Sequence, residues 1–423
     1  MMPNRKRVHY AWVVAAVAFI TLMGAAGFRS TPSILIDPLQ EEFGWSRATI
    51  GLAVSINVLL FGLIGPFAAA LQLRFGLRRV TMTSLMVIAC GAIATTQMTT
   101  PWHLYVLWGV VVGLGSGCMA TVFASTVASR WFVQHRGLVT GALTAASASG
   151  QLIFLPMLTR VADANGWRVV GVVIGCCALA VVPLVWVFLR NSPADIGLLP
   201  LGANDEYVEP RPTANPVRTA TSALRIATSD RIFWLLWGSF FVCGLSTNGL
   251  IGTHFLSAAH DHHIAAATAA GYLALIGGFD VLGTIASGWA TDRVDPARLL
   301  VAYYVFRGVS LLFLDPAMAA SGAGLVGFMV FYGLDWVATV PPTVALCVRR
   351  FGPARGPVVY GWVFAGHQLG AAVAAWGAGL LRDSTGSYEI SFVIAGIGCI
   401  VAAVGSYGMR QQSASPTAAA MTL

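Results

Sequence analysis

Phe132-Val133-Gln134-His135-Arg136-Gly137 and Phe351-Gly352-Pro353-Ala354-Arg355-Gly356 stand 219 residues apart, each a short break between two long apolar runs. The same offset separates Leu73-Arg74-Phe75 from Asp292-Arg293-Val294. One offset shared by two separate motifs means that the chain holds two copies of one plan, in the same orientation. The fold question is therefore what one copy is made of.

Outward from these motifs the chain is almost entirely apolar. Hydrophobic residues make up 57% of its 423 residues and charged ones only 10%, against about 25% charged in a soluble domain. The missing charge points to a bilayer as the solvent. A spanning helix needs roughly 20 apolar residues. Twelve stretches are read as spans: 11–36, 48–72, 80–97, 102–128, 137–160, 168–189, 231–257, 266–290, 298–314, 321–348, 356–381 and 389–409. Inside lipid every backbone N–H and C=O must be bonded within its own helix. The expected fold is all-α, with six spans per copy. Pro32, Pro66, Pro156, Pro183 and Pro341-Pro342 are read as kinks. The seven cysteines fall inside spans without metal-ligand or redox spacing, which reads as packing. Arg5-Lys6-Arg7 before a long apolar run reads as an uncleaved first span, because a signal peptide has a shorter apolar core.

The formal charge is +8, from 25 basic and 17 acidic residues. With twelve spans, 19 basic residues share the side of the N-terminus, 4 lie opposite, and Arg29 and Arg307 remain inside spans. This asymmetry follows the positive-inside rule and places both termini in the cytoplasm. The basic excess reports topology and contact with anionic lipid, and argues against nucleic acid. The domains are then a six-helix bundle over 1–190, a polar cytoplasmic linker over 191–230 with a short surface helix around 217–229, a second bundle over 231–410, and a tail over 411–423.

Gly65-Pro66 through Arg74-Phe75-Gly76-Leu77-Arg78-Arg79 resembles the loop signature of the major facilitator transporters. Leu73 stands where that signature usually has Asp; the second copy, Ser287 to Asp292-Arg293, keeps it. The resemblance implies that Arg74, Gly76, Arg78, Arg79, Asp292, Arg293, Arg136 and Arg355 form a cytoplasmic gate motif. Trp131-Phe132 followed by Arg136-Gly137-Leu138, with Phe43-Gly44-Trp45-Ser46-Arg47, is similar to monocarboxylate transporters and bacterial oxalate/formate antiporters. That branch carries an Asp on its eighth helix with an Arg one turn later. Asp280 matches the Asp, but Thr284 holds the Arg position. By the same resemblance Arg29 corresponds to its first-helix cation, and His367 to the exchanger's eleventh-helix Lys.

Four charges lie near mid-span: Arg29, Asp280, Arg307 and Asp335. Each costs roughly 2.5–3.5 kcal/mol at a helix centre, so all four must face the interior, paired or wet. In the major facilitator layout the first, fourth, seventh and tenth helices line the cavity, which puts Arg29, Asn248 and Asp335 there. Arg29 is a bidentate partner for a carboxylate, and its bland reading is snorkelling to the interface. Asp280 with Arg307 reads as a proton-coupling pair, or as a static bridge between neighbouring spans. Trp336, His367, Gln368 and Asn57 complete the candidate substrate site, against a plain packing role. His260-Asp261-His262-His263 reads as a solvated loop. Stripes of small residues such as Gly366, Gly370, Ala374 and Ala378 read as helix-packing surfaces.

No nucleotide loop, metal spacing or catalytic constellation is present, so neither an enzyme nor an ATP-driven pump is expected, and no cofactor. The expectation is a monomeric transporter of the plasma (bacterial inner) membrane. It would move a small organic anion, a monocarboxylate, by alternating access with protons. The rivals are proton-independent anion exchange, efflux of a non-anionic compound and, remotely, a non-transporting sensor.

Overall fold

The computed structural model describes residues 9–204, 215–320 and 322–410, without the side chains of 27–34, 37, 47–48, 151, 155, 266 and 410. Helices dominate, and the described residues contain no strand beyond one isolated bridge between Phe132 and Leu201. The chain divides into two compact units, Met1–Thr219 and Ala220–Leu423.

In the first unit, α1 (Tyr10–Phe43) is the first span. The second is α2 (Arg47–Leu63) and α3 (Gly65–Phe75), meeting at a 52° bend. The third is α4 (Leu77–Ala94). The fourth is broken into α5 (Pro101–Leu104), a π-helical stretch Tyr105–Val112, α6 (Gly113–Gly117) and α7 (Thr121–Trp131). The fifth and sixth are α8 (Arg136–Asn165) and α9 (Trp167–Phe188). Boundaries follow local chemistry. Gly44 ends α1 in the left-handed region, its N–H bonding to Gln40 O, and the Ser46 hydroxyl caps α2 at Thr49 N.

The helix α10 (Pro216–Thr228) crosses the unit boundary. It buries Ala220, Ala223 and Ala227, and Trp362 Nε1 donates to Ala220 O at 3.0 Å. This helix is therefore docked by its small-residue stripe. In the second unit the seventh span is α11 (Arg231–Gly244), a π-helical stretch Leu245–Ile251 and α12 (Gly252–Asp261). The eighth is α13 (Ala266–Thr291). The ninth joins α14 (Pro296–Leu312) to α15 (Leu314–Ala320) at 46°. Next come α16 (Ala323–Asp335), α17 (Val340–Thr385) and α18 (Glu389–Arg410).

Eight helical runs among the described residues are long and apolar enough to cross a membrane, or ten if each bent pair counts once. The run Ala323–Thr385 holds 63 residues and is broken at Gly352, whose φ of 81° no helix allows, so it supplies two spans. With α1, whose described apolar part is Tyr10–Ala26, the helical stretches number twelve. The prolines divide into two kinds. Pro156 and Pro183 sit inside helices, whereas Pro66, Pro341 and Pro342 fall in first turns, where a missing N–H loses no bond. Trp102, Phe331, Trp376 and Val404 are each at least 69% exposed, a surface suited to lipid rather than water.

The eleventh span approaches the seventh closely because both present glycine. A Cβ on Gly244 would overlap the His367 carbonyl, and one on Gly370 the Phe241 carbonyl.

Candidate functional site

The tenth span is not continuous. It unwinds between α16 and α17, at Trp336 to Thr339. An unwound turn inside an apolar bundle exposes backbone groups that lipid cannot satisfy. Side chains from neighbouring spans satisfy them. Arg307 on α14 donates from Nη2 to Asp335 O at 2.5 Å and to Trp336 O at 3.2 Å. Asp280 on α13 accepts the Val337 N–H at 3.0 Å, and Ser287 donates to Ala338 O at 2.5 Å. A guanidinium on freed carbonyls and a carboxylate on a freed amide are the charge-assisted forms of these bonds.

The same groups also bond one another. Arg307 Nε reaches Asp335 Oδ2 at 2.6 Å, an ion pair with the guanidinium fully buried. Arg307 Nη1 lies 2.9 Å from Cys243 Sγ, which lies 3.3 Å from Thr339 Oγ1. The rings of Tyr304 and Tyr332 flank the guanidinium with centroids at 5.8 and 6.0 Å, and their hydroxyls donate to Ser239 O and Ser246 O. Asp280 Oδ1 also accepts from Thr284 Oγ1 at 2.8 Å. Asp335 Oδ1 is buried with no hydrogen-bond partner.

Thus Asp280, Arg307, Asp335 and Trp336 come together on one turn. The ion pair of Arg307 is with Asp335, where the bland sequence reading had a bridge to Asp280. Thr284 is a hydroxyl partner to Asp280 in place of an Arg. Cys243 departs from the packing role read for the cysteines, since it touches a charge. Its place two residues before the π-helical stretch gave no signal of that contact. Ser287 and Thr339 were also missed. Their signal, legible only afterwards, is a hydroxyl at the level of the Pro341-Pro342 pair.

Of the other candidates, His367 faces Cys243 of this cluster. Arg29 is on α1, and its side chain is outside the described residues. Asn57 donates from Nδ2 to Trp108 O at 2.9 Å, bonding α2 to the π-helical stretch of the fourth span. Asn248 is half-buried within the π-helical stretch of the seventh, a feature frequent at functional sites. The Trp336 ring meets Tyr332 edge-on at 5.6 Å. His367 is buried, stacked on Phe364 at 5.7 Å and tilted to Phe240 at 5.0 Å, with Nδ1 3.4 Å from Gln368 Oε1.

The loop motifs are built differently in the two units. In the first, Gly76 has φ 88° and starts α4. Asn191 Oδ1 accepts the Arg78 N–H at 3.0 Å, and a Cβ on Gly76 would overlap that side chain. Asn191 is held by Arg130 Nη1 on its carbonyl and by Asp195 on its amide. Arg74 and Arg78 lie over Phe75 and Trp186, Arg79 is exposed, and Arg136 Nε donates to Phe132 O. Leu73 is buried where the second copy has Asp292. In the second unit Arg293 folds back on Trp289, with its guanidinium 4.1 Å from the ring. Asp292 caps α13, and Arg355 is half-buried.

On the opposite face each unit carries a bidentate clasp. Glu42 bonds Arg168 at 2.8 and 2.5 Å and accepts from Trp167 Nε1 at 2.7 Å. Asp261, 219 residues after Glu42, bonds Arg382 at 3.0 and 2.7 Å. The Arg168 and Trp167 bonds hold the Glu42 carboxyl below its ordinary pKa of 4.5.

Comparison with known proteins agrees with this architecture. The chain is 24% identical to an uncharacterized MFS-type transporter, YcxA, of Bacillus subtilis (strain 168), covering 92% of each. It is 26% identical to monocarboxylate transporter 11 of Mus musculus, over 91% of this chain and 84% of that one. Its fold superposes on the proton:xylose symporter XylE with a TM-score of 0.71 at 15% identity, covering 94% and 95% of the two chains. For the E. coli fucose:proton symporter FucP the TM-score is 0.67 at 15% identity, covering 95% and 100%. The description of the Major Facilitator Superfamily matches residues 16–375. An all-α chain of two six-span units, matched over that length, is an integral membrane transporter and not an enzyme: it belongs to the Major Facilitator Superfamily.

Proposed function

We propose that the protein carries a small organic anion, a monocarboxylate, across the membrane by alternating access in step with protons. The observation that carries this reading is the charged turn of the tenth span. Asp280 is 3% exposed and, among the described residues, bonds a hydroxyl and an amide but no cation directly. A buried carboxylate without a direct counter-ion is costly. Such a group takes up and releases a proton when its surroundings alternate between wet and dry. Arg307 tunes it from nearby, already engaged with Asp335.

The anion falls to Arg29, a guanidinium suited to bidentate binding of a carboxylate. Asn57 of the first unit and Asn248, Asp335, Trp336, His367 and Gln368 of the second are the further candidate substrate contacts. The names of the relatives support the substrate class. The loop arginines of both copies, with Asp292, serve as the gate at the cytoplasmic end. The basic-residue asymmetry supports both termini in the cytoplasm, and the protein is read as a monomer of the plasma (bacterial inner) membrane.

The test is uptake by reconstituted vesicles. An alkaline interior should drive accumulation of lactate, pyruvate or a similar acid. Absence of uptake across a panel of small acids would refute the reading. Arg29→Ala should raise KM for the anion tenfold or more; an unchanged KM would remove Arg29 from the site and favour a non-anionic substrate.

A further inference from the structure

The interior of the second unit holds two carboxyl groups and one guanidinium on a single turn. Asp280 accepts from Val337 N, Asp335 pairs with Arg307, and Arg307 also bonds the carbonyls of Asp335 and Trp336. Asp280, Asp335 and Arg307 are 3%, 5% and 1% exposed. Asp280 reaches Val337 N, two residues after Asp335, so both carboxyls meet the same turn that Arg307 holds. One guanidinium balances one carboxylate, and a second ionised carboxylate in this dry cluster would stand unbalanced. Asp335 Oδ1, buried without a partner, also shows that the ion pair leaves one carboxylate oxygen unused.

We propose that Asp280 and Asp335 share one proton between them, with Arg307 balancing whichever is ionised. The proton site is then a pair of residues on the eighth and tenth spans, and Asp335 belongs to it as fully as Asp280 does. Arg307 bonds Asp335 and Trp336 at the turn between α16 and α17 through two nitrogens, Nε and Nη2, so moving it from one carboxylate toward the other would shift the break in the tenth span. Protonation and helix geometry are thereby tied to one side chain.

The other titratable groups facing this cluster are Cys243 of the seventh span, Tyr303 and Tyr304 of the ninth, Tyr332 of the tenth, His367 of the eleventh and Cys399 of the twelfth. Phenols and thiols are ordinarily weaker acids than carboxyls, which favours the Asp pair for the negative charge. Cys243 is the group to check, because it shares Arg307 with Asp335.

This inference deepens the proton-coupling reading but needs no substrate to test. Infrared difference spectroscopy of the full chain in lipid at neutral pH counts protonated carboxyls through their C=O stretch. The wild type should show one such band from this cluster. Asp280→Asn should lose it, because Asp335 then balances Arg307 alone. Asp335→Asn should lose it too, because Asp280 then balances Arg307. Arg307→Gln should double its intensity. Cys243→Ser should leave it unchanged. Persistence of the band in either Asp variant would overturn the shared site, and its loss in Cys243→Ser would move the negative charge to the thiol. Should Asp335→Asn fail to fold, Asp335→Glu keeps the charge and the test: it should shift the band, and an unshifted band would overturn the shared site. If the band behaves as stated while vesicles move no anion, the proton pair stands and the substrate reading falls.

Discussion

The fourth and tenth spans break at the same place and mend the break differently. In the first unit the turn falls at Cys118 to Ala120, and Gln72 Nε2 donates to Cys118 O at 3.0 Å. In the second unit it falls at Trp336 to Thr339, and Arg307 and Asp280 hold it. Counting back 219 residues from Asp280, Arg307 and Asp335 gives Phe61, Ile88 and Ser116. All three are buried, and Phe61 and Ser116 line a small cavity with Leu22, Ala25 and Met119. One unit therefore builds its bundle around the break with a neutral amide. The fold does not require charge there. The charges of the second unit, which cost several kcal/mol to bury, are best understood as kept for work rather than for folding.

That comparison can be broken by substitution. Arg307→Met should have the largest effect, a loss of about 3–5 kcal/mol, because it strands the Asp335 carboxylate and two carbonyls. Thermal unfolding in lipid or detergent measures it. Gln72→Leu, which strands only one neutral carbonyl, should cost about 1–3 kcal/mol. Equal losses at the two sites would mean that the charged turn is no different in kind from the neutral one.

A smaller difference concerns the start of the third and ninth spans. Asp295 caps α14 from within its own segment, at Ala297 N. Gly76, 219 residues earlier, has no side chain, and α4 borrows its cap from Asn191, 113 residues away at Arg78 N. Asn191→Ala should therefore cost about 1 kcal/mol. It should also speed amide exchange at residues 76–80, with Asp295→Ala as the local control. Unchanged exchange at Arg78 would mean that the borrowed cap holds nothing in place.

The smallest effect is expected at the clasps. The first clasp is solvent-exposed, with side chains at 46% and 37%, so Glu42→Gln should cost less than about 1 kcal/mol. The Glu42 carboxyl is held below 4.5 in the folded chain. Its contribution is thus present above that pH and lost as pH falls through the lower folded value. A wild-type minus Glu42→Gln stability difference that grew as pH fell through the acid range would contradict this sign.

Much of this was legible in the sequence, for physical reasons. Apolar length fixed the spans, because lipid permits little else, and the basic-residue count fixed their even number. The 219-residue offset marked the two copies. The mid-span charges were visible as Asp280, Arg307 and Asp335, since a charge in an apolar run has no other explanation than a partner or water. The choice of partner was not legible. Whether Arg307 reaches Asp280 or Asp335 depends on where the tenth span unwinds, and Pro341-Pro342 signals a helix start without saying which carbonyls are freed. Cys243 was illegible for the same reason, because a cysteine that packs and one that faces a guanidinium look alike in a sequence. Asn191 lay in a segment read as linker, with nothing local to show that it caps a helix far back in the chain.

On this reading the charged turn of the second unit moves protons with the substrate. Asp280→Asn in reconstituted vesicles tests it most directly, because Asn keeps an oxygen for Thr284 and Val337 and removes only the titratable group. In this variant accumulation driven by a pH gradient should be abolished while exchange of labelled for unlabelled anion across the membrane persists. Gradient-driven accumulation at the wild-type level in this variant would contradict it.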